Sequence, residues 1–426
     1  MATHTNAGYT EVHCCRICRN PNLVPILDLG IQALTGVFPR STGDPVPRSP
    51  LELVKCLPVG DSKSCGLVQL RHSYSLSEMY GDNYGYRSGL NAAMVAHLRR
   101  KAQRIKETIQ LAPGDLVLDI GSNDSTFLQA MREEGITAVG MDPSGSKFRS
   151  YYPSDIALIP EFFSARGFND AFEGRRASVV TSFAMFYDLE DPVQFMREIE
   201  EVLTDDGIWV FEQSYLPLML ARNAYDTVCH EHLEYYALGQ IVFMAEQAGL
   251  KILDVETNDV NGGSFSVVAA KRASTRPANH GAIERLQREE SEIGIEGLKV
   301  FREFENRVGN LRQELRQFLA CSREDKLKLF GYGASTKGNV ILQYCNVTTA
   351  EIACIADVNR DKYGAFTPGT HIPIVSEEDA RSQCPDAWLV LPWHFRPGIL
   401  RREEPFLRAG HKIVFPLPRL DVVSIA

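Results

Sequence analysis

The stretch DLVLDIGSNDSTFLQAMREEG, which begins at Asp115, constrains the fold more than any other part of the chain. It opens with a short apolar run, Leu116 to Ile120, which ends at Gly121, and apolar residues then recur at helical spacing. A strand that leads through a tight glycine turn into a helix is typical of the nucleotide-binding corner of doubly wound α/β domains. The turn reads G-S-N-D-S rather than G-x-G-x-x-G, so the sequence argues against NAD as the ligand.

The segments that follow predict how the sheet continues. TAVGMDP reads as a second strand ending in an acid, Asp142, whose carboxylate can accept hydrogen bonds from both hydroxyls of a ribose. Further strands are predicted at Val179–Phe183 and Ile208–Glu212, and LKILDVETNDVNGGSFSVVAAK predicts two more. This α/β pattern resembles the class I S-adenosylmethionine (SAM) methyltransferases, in which an antiparallel last strand joins an otherwise parallel sheet. A plain Rossmann-like corner with another ligand is the alternative.

The resemblance to SAM methyltransferases implies where the cofactor lies. Gly121 would let the backbone approach the methionine part of SAM, and Asp119 would reach its ammonium group through the turn. The predicted cofactor-binding residues are Asp119, Gly121, Asn123, Asp142 and Phe183.

Near the N-terminus, cysteine spacing predicts a structural zinc site. Cys15 and Cys18 form a C-x₂-C knuckle, and Cys56 and Cys65 form a wider C-x₈-C pair. Four thiolates suit the tetrahedral preference of Zn²⁺ and leave no open position for catalysis. Cys14 or His13 could replace one of these ligands. The simpler interpretation is that no metal binds, with two of the four cysteines free and the other two packed in the core.

The C-terminal quarter repeats the strand–glycine turn–helix pattern in DKLKLFGYGASTKGNVILQYCN. Gly333 keeps this turn slim, and Ser335 and Lys337 lie where a helix N-terminus would receive an anion. Between the two α/β units, residues about 280–326 carry apolar residues at spacings of three and four. This pattern predicts one long amphipathic helix with a solvated charged face and a break near Gly294.

The segment CHEHLEYY, residues 229–236, has three interpretations from its residues alone. Histidines two apart can chelate a metal from a strand. Glutamate and histidine can also cap the first turn of a helix that buries Tyr235 and Tyr236. An imidazole can instead act as a base, because its pKa lies close to 7.

Four stretches together resemble the nucleotide-sugar C-methyltransferases, the family that includes dTDP-4-keto-deoxysugar 3-C-methyltransferases. The stretches are Cys15-x-x-Cys18 with CGLVQL, YGYRSGLN, DIGSND with CHEHLEYY, and GYGASTKGN. The resemblance implies a class I SAM-methyltransferase Rossmann-like domain with an N-terminal zinc-binding module and a C-terminal α/β domain. The implied ranges are 11–72 for the zinc module, 73–275 for the SAM domain, 276–326 for a helical connector and 327–426 for the nucleotide-sugar-binding domain.

The family also implies which residues act. His232 would be the base that removes a proton beside a ketone, Glu231 would orient the imidazole, and His230 is the second candidate base. Donors to the resulting enolate oxygen would come from the tyrosines Tyr84, Tyr86 and Tyr187. Contacts to the substrate, with its sugar-nucleotide diphosphate, would come from Lys337, Ser335, Gly333 and Cys229. The chain departs from the family pattern at Cys229, where tyrosine is common, and at Ser125, where glycine is common.

Charge and composition limit the other functions. The formal net charge is −9, and no run of Lys or Arg offers a nucleic-acid surface. No apolar stretch reaches the roughly 18 residues that a membrane span needs, and no signal-peptide core is evident, so a cytoplasmic protein is expected. Two alternatives to sugar C-methylation remain: a SAM-dependent O- or N-methyltransferase of another small molecule, and a zinc-stabilised nucleotide-binding protein without turnover.

Overall fold

The computed structural model describes residues 8–60, 64–74 and 86–425. Its N-terminal strands are β1 (Tyr9–Glu11), β2 (Leu23–Ala33), β3 (Arg48–Cys56), β4 (Val68–Leu70) and β5 (His72–Tyr74). Strands β2, β3 and β4 form an antiparallel sheet, and β1 pairs with β5. Side chains of β3 such as Leu51 and Leu53 point into the core, which they reach because alternate residues of a strand share a face.

A seven-stranded sheet follows. Its strands are β6 (Leu116–Ile120), β7 (Thr137–Met141), β8 (Ile156–Ile159), β9 (Ala177–Phe183), β10 (Leu203–Ser214), β12 (Leu250–Asn258) and β13 (Ser264–Lys271). Their order is β12-β13-β10-β9-β6-β7-β8, and β13 runs antiparallel to both of its neighbours. Crossovers between the parallel strands need helices on both faces, and the apolar runs of β6 and β9 are accordingly buried.

The helices of this unit are α1 (Ala92–Thr108), α2 (Thr126–Met131), α3 (Gly145–Phe148), α4 (Ala165–Ala171), α5 (Pro192–Val202), α6 (Leu216–Ala221) and α7 (Leu238–Gln247). Helix α1 begins after Asn91, whose side chain accepts a hydrogen bond from the backbone NH of Ala93 at 2.9 Å. Helix α5 begins in the same way after Asp191, with proline at its first position.

The segment that carries the histidines is not the first turn of a helix. Strand β11 (Glu234–Tyr235) pairs antiparallel with β4, so the N-terminal sheet has the order β11-β4-β3-β2. Helix α7 starts only at Leu238. The helix-capping interpretation of the glutamate and histidines is therefore wrong, although Tyr235 and Tyr236 are indeed buried.

Two helices occupy the predicted connector, α8 (His280–Ile293) and α9 (Lys299–Glu324). Gly294 ends α8 in the left-handed region at φ 76°, which confirms the predicted break. One charge of α8 is not solvated. Glu290 is buried and accepts hydrogen bonds from the hydroxyl of Tyr215 and from the backbone NH of Leu238, the first residue of α7. A carboxylate is favourable at this helix N-terminus, which is why a buried acid occurs there.

The C-terminal unit is a six-stranded sheet of order β16-β15-β14-β17-β18-β19. Its strands are β14 (Leu329–Tyr332), β15 (Ile355–Asp357), β16 (Ile374–Ser376), β17 (Ala387–Val390), β18 (Lys412–Phe415) and β19 (Asp421–Val423). Its helices are α10 (Thr336–Tyr344), α11 (Glu377–Ser382), α12 (Arg396–Arg402) and α13 (Glu404–Arg408). All strands but β19 are parallel. In the described part of the chain, no helix has the length and apolar character to cross a membrane.

Candidate active site

The turn after β6 is organised by its own polar side chains. Gly121 has a φ of +72°, and the carboxylate of Asp142 accepts hydrogen bonds from the backbone NH groups of Asn123 and Ser144, each at 2.7 Å. A carboxylate offers about four lone-pair positions, so Asp142 keeps acceptor capacity for a ribose hydroxyl. The predicted cofactor residues of the turn thus lie together at the carboxyl ends of β6 and β7.

Asp119 lies beneath this turn and is buried. The hydroxyl of Thr181 donates to its carboxylate at 2.6 Å. Burial nevertheless raises the pKa of Asp119 to about 8, with the nearby Asp142 adding to the shift. A cationic ammonium group brought to this position would favour the ionised carboxylate.

The segment 86–91 covers the turn. The side-chain amide of Asn123 donates to the backbone oxygen of Tyr86 at 3.2 Å and accepts from the backbone NH of Ser88 at 3.0 Å. Tyr86, predicted as an enolate donor, therefore contacts the turn after β6 through its backbone oxygen. Tyr84, predicted for the same role, falls outside the described residues.

The end of β9 brings the two candidate regions together. Phe183 packs edge-on against Phe127 of α2, with ring centroids 4.9 Å apart. Four residues later Tyr187 lies against the ring of His232, with centroids 4.2 Å apart. The backbone NH of Leu233 also donates to the carbonyl of Tyr187 at 2.8 Å. His232 is therefore held at the carboxyl edge of the sheet, next to the strand that carries Phe183, one of the predicted cofactor residues.

The ring of His232 has a defined tautomer. Its Nδ1 lies 2.8 Å from the carbonyl oxygen of Thr227, so Nδ1 carries the hydrogen and Nε2 presents a lone pair. The sequence predicted that Glu231 would orient the imidazole. The orienting partner is instead this backbone carbonyl. Burial and the charge of Lys337 lower the pKa of His232 to about 3, which keeps the ring neutral.

His230 has a different environment. It is fully buried, its Nε2 lies 3.4 Å from the carbonyl oxygen of Ser49, and its ring packs edge-on against Tyr74 of β5. Burial lowers its pKa to about 4. His230 therefore packs against the N-terminal module, which disfavours it as a base.

Two further residues of the histidine segment, Cys229 and Glu231, lie close to each other, and Glu231 also lies near the C-terminal unit. Burial raises the pKa of Glu231, and the thiol of Cys229 is its hydrogen-bonding neighbour. A Cβ atom at Gly36 would come within 2.2 Å of a Glu231 oxygen and 3.9 Å of the Thr336 hydroxyl. This glycine lets the loop after β2 pass between Glu231 and the start of α10.

The predicted phosphate residues of the C-terminal unit are engaged within the protein. The hydroxyl of Ser335 accepts from the backbone NH of Gly338, and Nζ of Lys337 donates to the carbonyl of Asn261. Burial lowers the pKa of Lys337, while Asp226 and Cys229 oppose the shift. Lys337 is close enough to lower the pKa values of His232 and His394, so it lies near both rings.

An adjoining cavity of about 480 Å³ separates α1 from the C-terminal unit. Its wall combines basic, acidic and aromatic side chains with the backbone around Asn261. His394 and Phe395 line one side, and His97, Arg100 and Lys101 line the other. Asn261 also accepts the hydrogen bond of Lys337, so the cavity lies next to this lysine.

A charged network at the end of β10 was not predicted from the sequence. Glu212 is buried and accepts hydrogen bonds from His97 at 2.6 Å, and from Lys101 and Asn258 at 2.8 Å. Although burial opposes the shift, these partners lower the pKa of Glu212. A glutamate in the otherwise apolar run IWVFEQ was the available signal.

The four predicted zinc ligands meet in space. The Sγ atoms of Cys15, Cys18, Cys56 and Cys65 all lie within 4.8 Å of one another. The distances of 3.4 Å between Cys15 and Cys65 and 3.5 Å between Cys18 and Cys56 are close to the roughly 3.8 Å expected between ligands at Zn–S bonds of about 2.3 Å. Four thiolates at these distances repel one another, so a cation is needed to hold them together. Cys14 is not part of this cluster, and neither is His13.

Family models match the chain in three consecutive parts. Residues 15–80 match a family described as "Putative zinc binding domain", residues 94–255 a "Methyltransferase domain", and residues 259–418 a "C-methyltransferase C-terminal domain". The C-methyltransferase NovU of Streptomyces niveus is 31% identical over 413 residues, which cover 96% of each chain.

The chain belongs to the C-methyltransferases. It is a SAM-dependent enzyme of this family with a zinc-binding Cys₄ cluster, and its class I methyltransferase fold confirms the predicted fold class. Solved structures that are similar to part of the chain include the CcbJ methyltransferase from Streptomyces caelestis, which is 15% identical with a TM-score of 0.32 over 41% of this chain and 89% of that one. The mitomycin 7-O-methyltransferase MmcR is 13% identical with a TM-score of 0.33, and the match covers 43% of this chain and 55% of that one.

Proposed function

We propose that this C-methyltransferase acts on a dTDP-linked 4-keto-deoxysugar and methylates C3, the carbon next to the ketone. The observation that carries the proposal is the placement of His232. Its ring lies against Tyr187 at the end of β9, and Thr227 fixes the tautomer that leaves Nε2 free to accept a proton. A carbon beside a carbonyl is acidic enough for an imidazole to deprotonate when the enolate oxygen is stabilised.

The chemistry divides between cofactor and protein. Bound SAM supplies an electrophilic methyl group without help from a metal. His232 takes the C3 proton, and the electron pair moves toward the carbonyl oxygen. The turn with Asp119, Gly121, Asn123 and Asp142 holds the donor, and Tyr187 lies where it can contact the acceptor. Holding both partners at reacting distance supplies much of the rate.

The substrate's diphosphate would also tune the base. Burial and, to a smaller extent, the charge of Lys337 lower the pKa of His232 to about 3, which keeps the imidazole neutral but makes it a weak base. A diphosphate near Lys337 would offset this charge and raise the pKa of His232 toward the range that suits proton removal. We therefore propose that residues 327–426 hold the nucleotide, with Lys337, Ser335 and Gly333 near the diphosphate and Cys229 beside the sugar. The cavity beside Asn261 has room for the nucleoside.

The direct test supplies SAM carrying an isotopically labelled methyl group together with a dTDP-4-keto-deoxyhexose. The sugar should gain one methyl group, and NMR should show the label bonded to C3. Label on an oxygen or nitrogen would contradict C3 methylation. A second readout is solvent exchange of the C3 proton without SAM, since only a competent base catalyses it. Absence of exchange together with tight dTDP binding would point to a binding protein without turnover.

A further inference from the structure

Gln213, at the carboxyl end of β10, has a side chain that the fold does not satisfy. It is 1% exposed, yet neither its Oε1 nor its Nε2 has a hydrogen-bond partner. A buried primary amide offers two donors and two acceptor positions, and leaving them unused costs stability. Packing alone does not account for glutamine here, because an apolar residue of the same size would avoid that cost.

The polar neighbours of Gln213 show that the fold can satisfy such groups. The carboxylate of Glu212, the preceding residue, has three hydrogen-bond partners. Gln240 is also buried, but its Oε1 accepts from the NH of Ala237 at 2.9 Å and its Nε2 donates to the carbonyl of Cys65 at 2.8 Å. Among the buried glutamines that the structure describes, Gln213 alone has both side-chain atoms unpartnered.

The strand register places Gln213 on the same face of the sheet as two aromatic residues of β10. Alternate residues of β10 share a face, so Gln213 follows Trp209 and Phe211. The rings of Trp209 and Phe211 each lie 5.5 Å from the ring of Phe186, the residue before Tyr187. Gln213 is therefore one pleat repeat nearer the carboxyl edge of the sheet, on the face that packs against Phe186.

The ends of the neighbouring segments converge there. The NH of Ala184, just after β9, donates to the carbonyl of Glu212 at 2.7 Å. On the other flank, Tyr215 forms a parallel bridge with Tyr236, the last residue of the histidine segment. The backbone around Gln213 is thus bordered by the turn that carries Tyr187 and by the strand that leads away from His232.

We propose that Gln213 binds the reacting carbonyl of the acceptor, with Nε2 donating to its oxygen and Oε1 accepting from a neighbouring hydroxyl of the sugar. This inference rests on the proposed function. When the C3 proton passes to Nε2 of His232, the C–H electron pair forms the C3–C4 double bond of the enolate and negative charge appears on the C4 oxygen. The donor on Gln213 stabilises that charge, and the enolate then forms the new C–C bond as the methyl leaves the sulfonium of SAM.

Replacing Gln213 by methionine tests the proposal, because methionine has a similar volume and no polar amide. In Gln213→Met, kcat/KM for methyl transfer should fall roughly 10²–10³-fold, as for loss of an oxyanion donor. Exchange of the C3 proton should fall by a similar factor, and the Kd for SAM should stay within about twofold. The melting temperature should stay the same or rise, because the unsatisfied amide is gone.

The matched control is Gln240→Met, which removes an amide that the fold does satisfy. Its melting temperature should fall, and kcat/KM of the folded, zinc-loaded enzyme should remain within about threefold of wild type. Opposite responses of stability and activity in the two variants distinguish a ligand-binding amide from a structural one.

Three outcomes would overturn the proposal. One is a kcat/KM for Gln213→Met within threefold of wild type. Another is a fall in melting temperature like that of Gln240→Met without loss of activity, and misfolding of both Gln213→Met and Gln213→Leu would have the same meaning. If the wild type methylates no keto-sugar nucleotide, the proposed function fails and the role of Gln213 fails with it. The ratio of variant to wild type thus tests Gln213 separately.

Discussion

At the scale of single residues, two histidines separated by one glutamate differ completely in their surroundings. His230 is buried against Tyr74 of the N-terminal module, and His232 lies against Tyr187 at the edge of the seven-stranded sheet. Both have lowered pKa values, but only His232 combines a fixed tautomer with a position at the carboxyl edge of the seven-stranded sheet. The two histidines lie in the turn before β11, in neither a helix nor a strand, so no simple periodicity could assign their positions.

Substitution should separate the two histidines. His232→Asn should lower methyl transfer and C3-proton exchange by at least about 10³-fold while SAM still binds, since the proton acceptor is lost. His230→Asn should retain exchange per folded molecule and lower the free energy of unfolding by about 1–3 kcal/mol, since the buried packing against Tyr74 is disturbed. Exchange measured by NMR and denaturation curves test both. Normal exchange in His232→Asn would transfer the role of base to another residue.

The pH dependence follows from the pKa of His232. A histidine with a lowered pKa stays neutral to lower pH, so the active form of the free enzyme is lost only as pH falls toward about 3, instead of near 6.5. We expect kcat/KM to be flat on its acid side from pH 7 down to about pH 5, provided that the enzyme remains folded. Steady-state rates across this range, with circular dichroism as the control for folding, test the prediction. An inflection between pH 6 and 7 would contradict it.

At the scale of elements, the turn from β6 into α2 shows how a departure from the family pattern is accommodated. Ser125 occupies the left-handed region at φ 62°, where glycine is favoured. Its hydroxyl donates to the carbonyl of Tyr151 at 3.1 Å and accepts from the amide of Gln129 at 3.0 Å. These side-chain hydrogen bonds offset the backbone strain that serine accepts here.

Two substitutions measure this balance. Ser125→Ala keeps the strain and loses both hydrogen bonds, so it should destabilise the protein by about 1–2 kcal/mol. Ser125→Gly also loses the hydrogen bonds but relieves the strain, so it should be more stable than Ser125→Ala by about 1 kcal/mol. Chemical denaturation gives both values. Equal stabilities of the two variants would show that the left-handed backbone is not strained.

At the scale of the whole molecule, the histidine segment links the N-terminal module to the seven-stranded sheet. Strand β11 completes the sheet of the zinc module through β4, and Leu70 donates its NH to the carbonyl of Leu233. Asp226, which lies just before this segment, accepts a hydrogen bond from Trp393 of the C-terminal unit at 2.8 Å. The position of His232 therefore depends on all three parts of the protein.

Loss of zinc should consequently reduce catalysis as well as stability. Cys56→Ser should lose the metal and lower the melting temperature by at least about 5 °C, and methyl transfer should fall because the β4–β11 pairing no longer supports the segment. Cys14→Ser is the control, because Cys14 adjoins Cys15 without belonging to the cluster. It should retain about one zinc per chain by elemental analysis. Full activity of metal-free protein would contradict the link between module and site.

The sequence by itself determined the locally coded features. Leu116–Ile120 was predicted to the residue as a strand, and the break at Gly294 and the four cysteine ligands were also found, because apolar period, glycine conformation and thiol chemistry act over short distances. Only the tertiary structure decided that Thr227 rather than Glu231 orients His232, that Glu290 caps another helix, and that Gln213 lacks partners. Each of these depends on which groups meet after distant segments pack, and no local spacing encodes that.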